Sequence, residues 1–183
     1  LLAMISLTLL AGCKSGGQGV YQTPPESARD SIKAQKLTQD AAKAMAKDHA
    51  KAERLLREAL TADLFHGPAH NNLGVIYLNQ GKLYEASGEF EWARKLMPGH
   101  PDPRINLAAT LERAGRTDEA LANYESALDV APESIAAMQG MARLQLKTGR
   151  SDVRTRAMLQ EISLRGESAQ WREWARGRLT QIP

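Results

Sequence analysis

Residues 67–100 read GPAHNNLGVIYLNQGKLYEASGEFEWARKLMPGH, and residues 101–134 read PDPRINLAATLERAGRTDEALANYESALDVAPES. Laid over one another at an offset of 34, the blocks share Asn72/Asn106, Leu73/Leu107, Gly81/Gly115, Glu85/Glu119, Ala86/Ala120, Glu91/Glu125, Ala93/Ala127 and Pro98/Pro132. Phe90/Tyr124 and Lys82/Arg116 are near matches. Half of the shared positions are Gly, Ala or Pro, the types that backbone geometry restricts, so the likeness is an internal repeat. Each block reads as helix, turn, helix. Leu73, Gly74 and Tyr77 share one helical face. Gly81 supplies the left-handed residue that ends the first helix. Ala86, Phe90 and Ala93 follow at spacings of four and three, and Pro98 stops the second. The small Gly74 and Ala86 let the two backbones approach, and Tyr77 and Phe90 fill the space between neighbouring pairs.

The pattern resembles the tetratricopeptide repeat, with Leu-Gly-x2-Tyr, then Ala-x3-Phe, then Pro in 34 residues. Residues 67–100 carry it as Leu73-Gly74-x2-Tyr77, Ala86-x3-Phe90 and Pro98; residues 101–134 carry Leu107-Ala108-x2-Leu111, Ala120-x3-Tyr124 and Pro132. The family's opening tryptophan is absent, with His70 and Arg104 in its place. Degenerate copies flank these two. Residues 33–66 keep Ala52, Leu56 and Ala59, but place Gln39-Asp40 where Leu-Gly belongs. Residues 135–168 keep Met141-Ala142, Gly149 and Met158, put Arg154 in the alanine position and end at Gly166 instead of proline. Atypical end units are expected where a stack faces water. The resemblance implies an all-α, right-handed solenoid of about four helix pairs over 33–168, closed by a C-terminal helix at 169–183. On that last helix Trp171, Trp174, Ala175 and Leu179 share a face, which suits a cap on the final repeat or a helix docking on a membrane or partner.

Composition agrees. Ala and Leu number 51 against 11 for Val and Ile, and aromatics are 5%. Helices favour the former and strands the latter, which argues against a sandwich or a parallel sheet. With 43% hydrophobic and 25% charged residues, the chain is neither a polytopic membrane protein nor wholly disordered. The net charge of +3 is spread in alternating signs, as on solvated helix faces. No nucleic-acid-binding motif accompanies it, so nucleic acid is not an expected partner.

The chain opens LLAMISLTLLAGC, and no charge precedes Cys13. The run is too short for a hydrocarbon core of roughly 30 Å, which needs about 20 residues. It fits the apolar region of a secretory signal peptide over 1–12, without its basic start. Leu10-Ala11-Gly12-Cys13 resembles the lipobox of bacterial lipoproteins, which implies a lipid on the Cys13 thiol and cleavage before it. Lys14, where an inner-membrane lipoprotein of a Gram-negative bacterium carries aspartate, fits export to the outer membrane. Residues 13–32, with Gly, Ser and Pro-Pro, read as the lipidated cysteine and a tether. Asp30 or Ser31 can cap the following helix.

Catalytic chemistry is hard to find. As the single cysteine, Cys13 can form neither an internal disulfide nor a cysteine-based zinc site. His66 and His70 are four apart, but Gly67-Pro68 between them breaks a shared helix. His66 and His100 occupy equivalent turns, too far apart to share an ion when packed helices lie about 8–10 Å apart. His49 stands alone. No phosphate loop or nucleophile elbow appears. Asp118-Glu119 sits at a helix start, where carboxylates favour the dipole. No enzyme activity, metal or cofactor is expected.

What remains is a surface. In the tetratricopeptide family the first helix of each pair lines a concave groove that takes peptides or partner helices. The resemblance places Asn71, Val75, Asn79, Ile105, Ala109, Arg113, Gln139, Arg143 and Lys147 along it. The row begins with neutral amides and ends with three cations against Glu112, which suits a peptide with an acidic stretch or a free C-terminus. Lipoproteins that look like this include the pilotins of type IV pili and components of pilus or secretion machinery. The expected role is a lipid-anchored scaffold on the periplasmic side of an outer membrane; the alternative is a periplasmic chaperone or adaptor presenting clients to an envelope enzyme.

Overall fold

The computed structural model describes residues 29–182. The stretch expected to be a signal peptide, the expected lipidation position Cys13 and most of the stretch read as tether lie outside the described residues. Within them the chain forms nine helices and no strand. They are α1 (Ser31–Ala44), α2 (His49–Ala62), α3 (Gly67–Asn79), α4 (Leu83–Leu96), α5 (Asp102–Arg113), α6 (Thr117–Val130), α7 (Ile135–Lys147), α8 (Val153–Arg165) and α9 (Ala169–Leu179).

Three turns between paired helices are built alike. Gly81, Gly115 and Gly149 have φ of +76°, +76° and +67°, which L side chains rarely adopt. Each turn closes by a Schellman pair: Lys82 N–H donates to Tyr77 O (2.9 Å) and Gly81 N–H to Leu78 O (3.1 Å). Arg116 N–H to Leu111 O and Arg150 N–H to Gln145 O, both 2.9 Å, repeat the bond. Elsewhere side chains cap the helices. Asp30, Asp48, Ser134 and Ser168 each accept from a backbone N–H three residues on, and Asp152 with Thr155 forms a reciprocal capping box.

Packing follows the repeat. Each helix packs on the next, and α1, α3, α5 and α7 also touch in series. The buried small residues Ala86, Ala93, Ala108, Ala120, Ala127 and Ala142 lie along the seams. A Cβ on Gly74 would lie 2.6 Å from Phe90 Cε1, so Phe90 fills the room that glycine leaves inside its own pair. Tyr124 does the same across pairs, against Gly140 of α7.

The degenerate units are shifted rather than broken. In α1 the buried residues are Ala34, Thr38 and Ala41, with Leu37 half-buried. Leu37-Thr38 therefore takes the Leu-Gly seats, two residues before Gln39-Asp40. The turn at 45–48 explains the offset: it has no positive-φ glycine, and α1 starts at Ser31, inside the stretch read as tether. In α8 the shift is one residue. Thr155 is buried where the alanine was expected, bonding Gln145 Oε1 at 2.9 Å, while Arg154 turns outward to Glu125. α9 packs on α8 through buried Ala175 and half-buried Trp171, Trp174 and Leu179.

Where the described chain begins, Arg29 clips it to the first pair. Its guanidinium bonds both Asp63 oxygens (2.8 and 3.2 Å) and lies 5.0 Å from the Phe65 ring centre. Burial alone would raise the Asp63 carboxyl. The Arg29 bond and the Phe65 N–H outweigh it and hold the group below its ordinary 3.8. A lowered carboxyl stabilises the fold above its unfolded value and stops doing so as pH falls through the folded one. Asp63→Asn should therefore cost about 2 kcal/mol at neutral pH. The gap between variant and parent should close as pH drops below 3.8, measured by urea unfolding across pH.

Candidate functional site

The nine expected groove residues lie on the first helices α3, α5 and α7, which touch in series. Asn71 and Asn106 meet across α3 and α5, the Asn106 amide donating to Asn71 Oδ1 at 3.0 Å. Val75, Ile105 and Ala109 are half-buried beside them, and Asn79 is exposed. Gln139 is 6% exposed, and its Nε2 has no acceptor among the described residues. A face of paired amides and half-covered apolar groups can bond a peptide backbone and cover its side chains.

The cations at the far end are more committed than the sequence implies. Arg143 is held by Glu112 through two bonds, 2.6 and 2.7 Å long. The bond to Glu112 raises its guanidinium, against the pull of burial. Burial raises the Tyr124 hydroxyl beside it, and the Glu112 charge adds to this, with Arg143 opposing. Arg113 donates to the Leu78 carbonyl at 2.6 Å, capping the end of α3. Lys147 stays 67% exposed, its amine 3.8 Å from Glu112. The end of the row is thus a shared carboxylate with one guanidinium bonded to it twice and one exposed amine at its edge.

Two concavities adjoin these elements. A cleft of about 1270 Å³ lies over α4, walled by α2 and α6. Leu60, Leu64, Tyr77, Leu83, Tyr84, Trp92, Leu107 and Leu111 line it with Glu85, Glu89, Glu91, Glu119, Arg57 and Arg116. None of the nine groove residues does. The second, of about 370 Å³, lies between α7 and α9, lined by Arg143, Leu146, Lys147, Trp174, Arg178, Gln181 and Ile182. The groove assignment reached Arg143 and Lys147 but not Trp174 or Arg178, which join them only because α9 folds back on α8. For the cleft a signal existed: Tyr84, Ser87 and Gly88 form an outward stripe on α4, and Tyr84 is 89% exposed.

His70 is structural. It is fully buried; Nδ1 lies 2.6 Å from Glu89 Oε2 and Nε2 lies 2.8 Å from Leu64 O. Its ring stacks on Trp92 with centroids 5.4 Å apart. Trp92 of the second helix thus supplies the indole that the first helix lacks. His66 precedes α3, and burial lowers its ring. No group of three metal-binding side chains occurs among the described residues, and no helix there is long and apolar enough to cross a membrane.

The sequence pattern described as Protein kinase G tetratricopeptide repeat matches residues 21–182. No curated protein sequence matches the chain. Among solved structures, the first tetratricopeptide domain of Spaghetti (RPAP3), bound to an HSP90 peptide SRMEEVD, is similar at TM-score 0.63 and 19% identity, covering 67% of this chain and 98% of that one. MamA is similar at 0.61 and 15%, covering 81% of each chain. A tetratricopeptide repeat protein from Parabacteroides merdae is similar at 0.66 and 22%, covering 82% of this chain and 60% of that one.

Proposed function

Because the chain belongs to the Protein kinase G tetratricopeptide repeat family, whose fold generally serves protein–protein interaction, we propose that it is a non-catalytic scaffold that holds a peptide segment of a partner along α3, α5 and α7. The observation that carries this is the Asn71–Asn106 amide pair, flanked by half-buried Val75, Ile105 and Ala109. Paired amides can reopen to bond a peptide backbone at little cost, because they exchange one neutral bond for others. The RPAP3 domain, of like fold, is bound to a peptide. The proposal extends to the chain's start: Cys13 carries a lipid, and the scaffold works in the envelope of a bacterium, in the assembly of a pilus or secretion complex.

The test is a displayed peptide library selected on the purified domain, with binding measured for Asn71→Ala/Asn106→Ala and for Ala109→Arg, whose long side chain would obstruct the row. Loss of affinity of about tenfold in each is expected. Peptides that bind all three proteins alike would refute the row as the site. Labelling cells with a lipid precursor tests the anchor: label is expected on the full chain and absent from Cys13→Ala, and a labelled variant would refute lipidation at Cys13.

A further inference from the structure

The pocket between α7 and α9 differs in charge from the cleft over α4. Three cations line it, Arg143, Lys147 and Arg178, and no carboxylate does among the described residues. The cleft over α4 has four carboxylates against two guanidiniums. α7 contains no acidic residue, and α9 has Glu173 against Arg172, Arg176 and Arg178. Arg143 is already satisfied by Glu112. Among the described residues Lys147 and Arg178 are less well matched: the Lys147 amine is 3.8 Å from Glu112, and Arg178 bonds the uncharged Gln181 amide at 2.7 Å. Between them lie apolar groups, Leu146, Trp174 and Ile182, each half-buried against the core. Trp174 is braced edge-on by Trp171, with ring centroids 5.1 Å apart. Bonds from Arg156 to Ile182 O (3.0 Å) and from Arg172 to Gly166 O (2.6 Å) hold α9 and its end in place. A fixed indole beside under-used cations is the composition of an interface anchor.

We propose that this pocket is a subsite for an acidic segment of the partner. One large apolar side chain enters between Leu146, Trp174 and Ile182, and carboxylates on neighbouring residues meet Lys147 and Arg178. The inference rests on the peptide-scaffold reading and adds what the peptide must look like at one end of the row. Binding there gives close carboxylate partners to two cations that now hold a 3.8 Å ion pair and an uncharged amide acceptor, and guanidinium– and ammonium–carboxylate bonds are among the strong ones.

The experiment titrates short, N-acetylated, C-amidated peptides by fluorescence anisotropy. One is an Asp/Glu run with a central Leu or Phe, a second replaces the acids by Lys, and a third replaces the central residue by Gly. Proteins are the parent chain, Lys147→Glu/Arg178→Glu, Trp174→Ala and Asn71→Ala/Asn106→Ala, each checked for helicity and melting. Lys147 and Arg178 are both exposed, so the charge reversal is expected to leave the fold intact, and the melting check reads any cost of the like charge it sets beside Glu112. The acidic peptide with its apolar centre is expected to bind, to weaken with salt, and to lose about tenfold or more in Lys147→Glu/Arg178→Glu. Equal affinity in that variant, or equal binding of the Lys and Gly peptides, would overturn the subsite. If affinity then fell only in Asn71→Ala/Asn106→Ala, the row would stand without it. If the charge reversal abolished binding and the asparagine changes did not, the pocket would stand and the row would fail. Binding that needs a free C-terminal carboxylate would overturn the assignment to an internal segment.

Discussion

Gly140→Ala is expected to lower the stability of the domain by about 3 kcal/mol, the upper part of the range for overpacking a core. In most helices the change is favourable, because alanine is the better helix former by about 1 kcal/mol. Here the added methyl would lie 2.2 Å from Tyr124 Cε1 and 2.4 Å from Cζ. The ring cannot swing aside. Tyr124 is 2% exposed, and its hydroxyl lies against the Arg143–Glu112 pair. Helix α6 would have to move away from α7. Gly177 is the control: it is exposed on α9, and a methyl there would meet nothing within 4 Å. Gly177→Ala should be neutral or stabilising. Urea unfolding of Gly140→Ala, Tyr124→Ala and the double variant gives the coupling. The glycine change should cost much less once the ring is gone. A fully stable Gly140→Ala would mean that α6 and α7 do not pack as described.

The second large effect is at His70. His70→Ala should cost about 3–5 kcal/mol, because it withdraws the 2.6 Å partner of a carboxylate, Glu89, that is 6% exposed. It also removes the ring that covers Trp92 and the bond to Leu64 O. Glu89→Gln keeps the size and removes the charge, so it should cost less than His70→Ala. In the His70→Ala background it should restore part of the loss. If His70→Ala and His70→Ala/Glu89→Gln unfold at the same urea concentration, the carboxylate is not the source of the cost. Both variants should leave peptide affinity unchanged, since neither residue belongs to the row.

The helix pairs, the turn glycines and the central seams were legible because a repeat announces itself twice. Leu73, Gly74, Ala86 and Phe90 have counterparts at 107, 108, 120 and 124, and geometry at one copy vouches for the other. The end units were less legible for the same reason. Their copies are degenerate, so no second copy vouches for them: α1 is shifted by two residues and α8 by one, and the matching seats pass to Thr38 and Thr155. At the proposed site, the family resemblance offered a row of residues but not its chemistry. Whether Arg143 is available depends on Glu112, which lies two helices earlier, on α5, at 31 positions' separation. The pocket with Trp174 and Arg178 was out of reach, because it forms where α9 turns back and no periodicity records that fold.

Every pair of helices in substantial contact is one or two places apart in the chain. Such an object has no keystone. Tension applied to its two ends would peel it unit by unit from the weaker terminus instead of bursting it at one threshold, and each peeled unit could snap back while its neighbour still offered a template. A tethered molecule of this build would yield like a spring under drag, lengthening and recoiling without losing hold of what lies further along it.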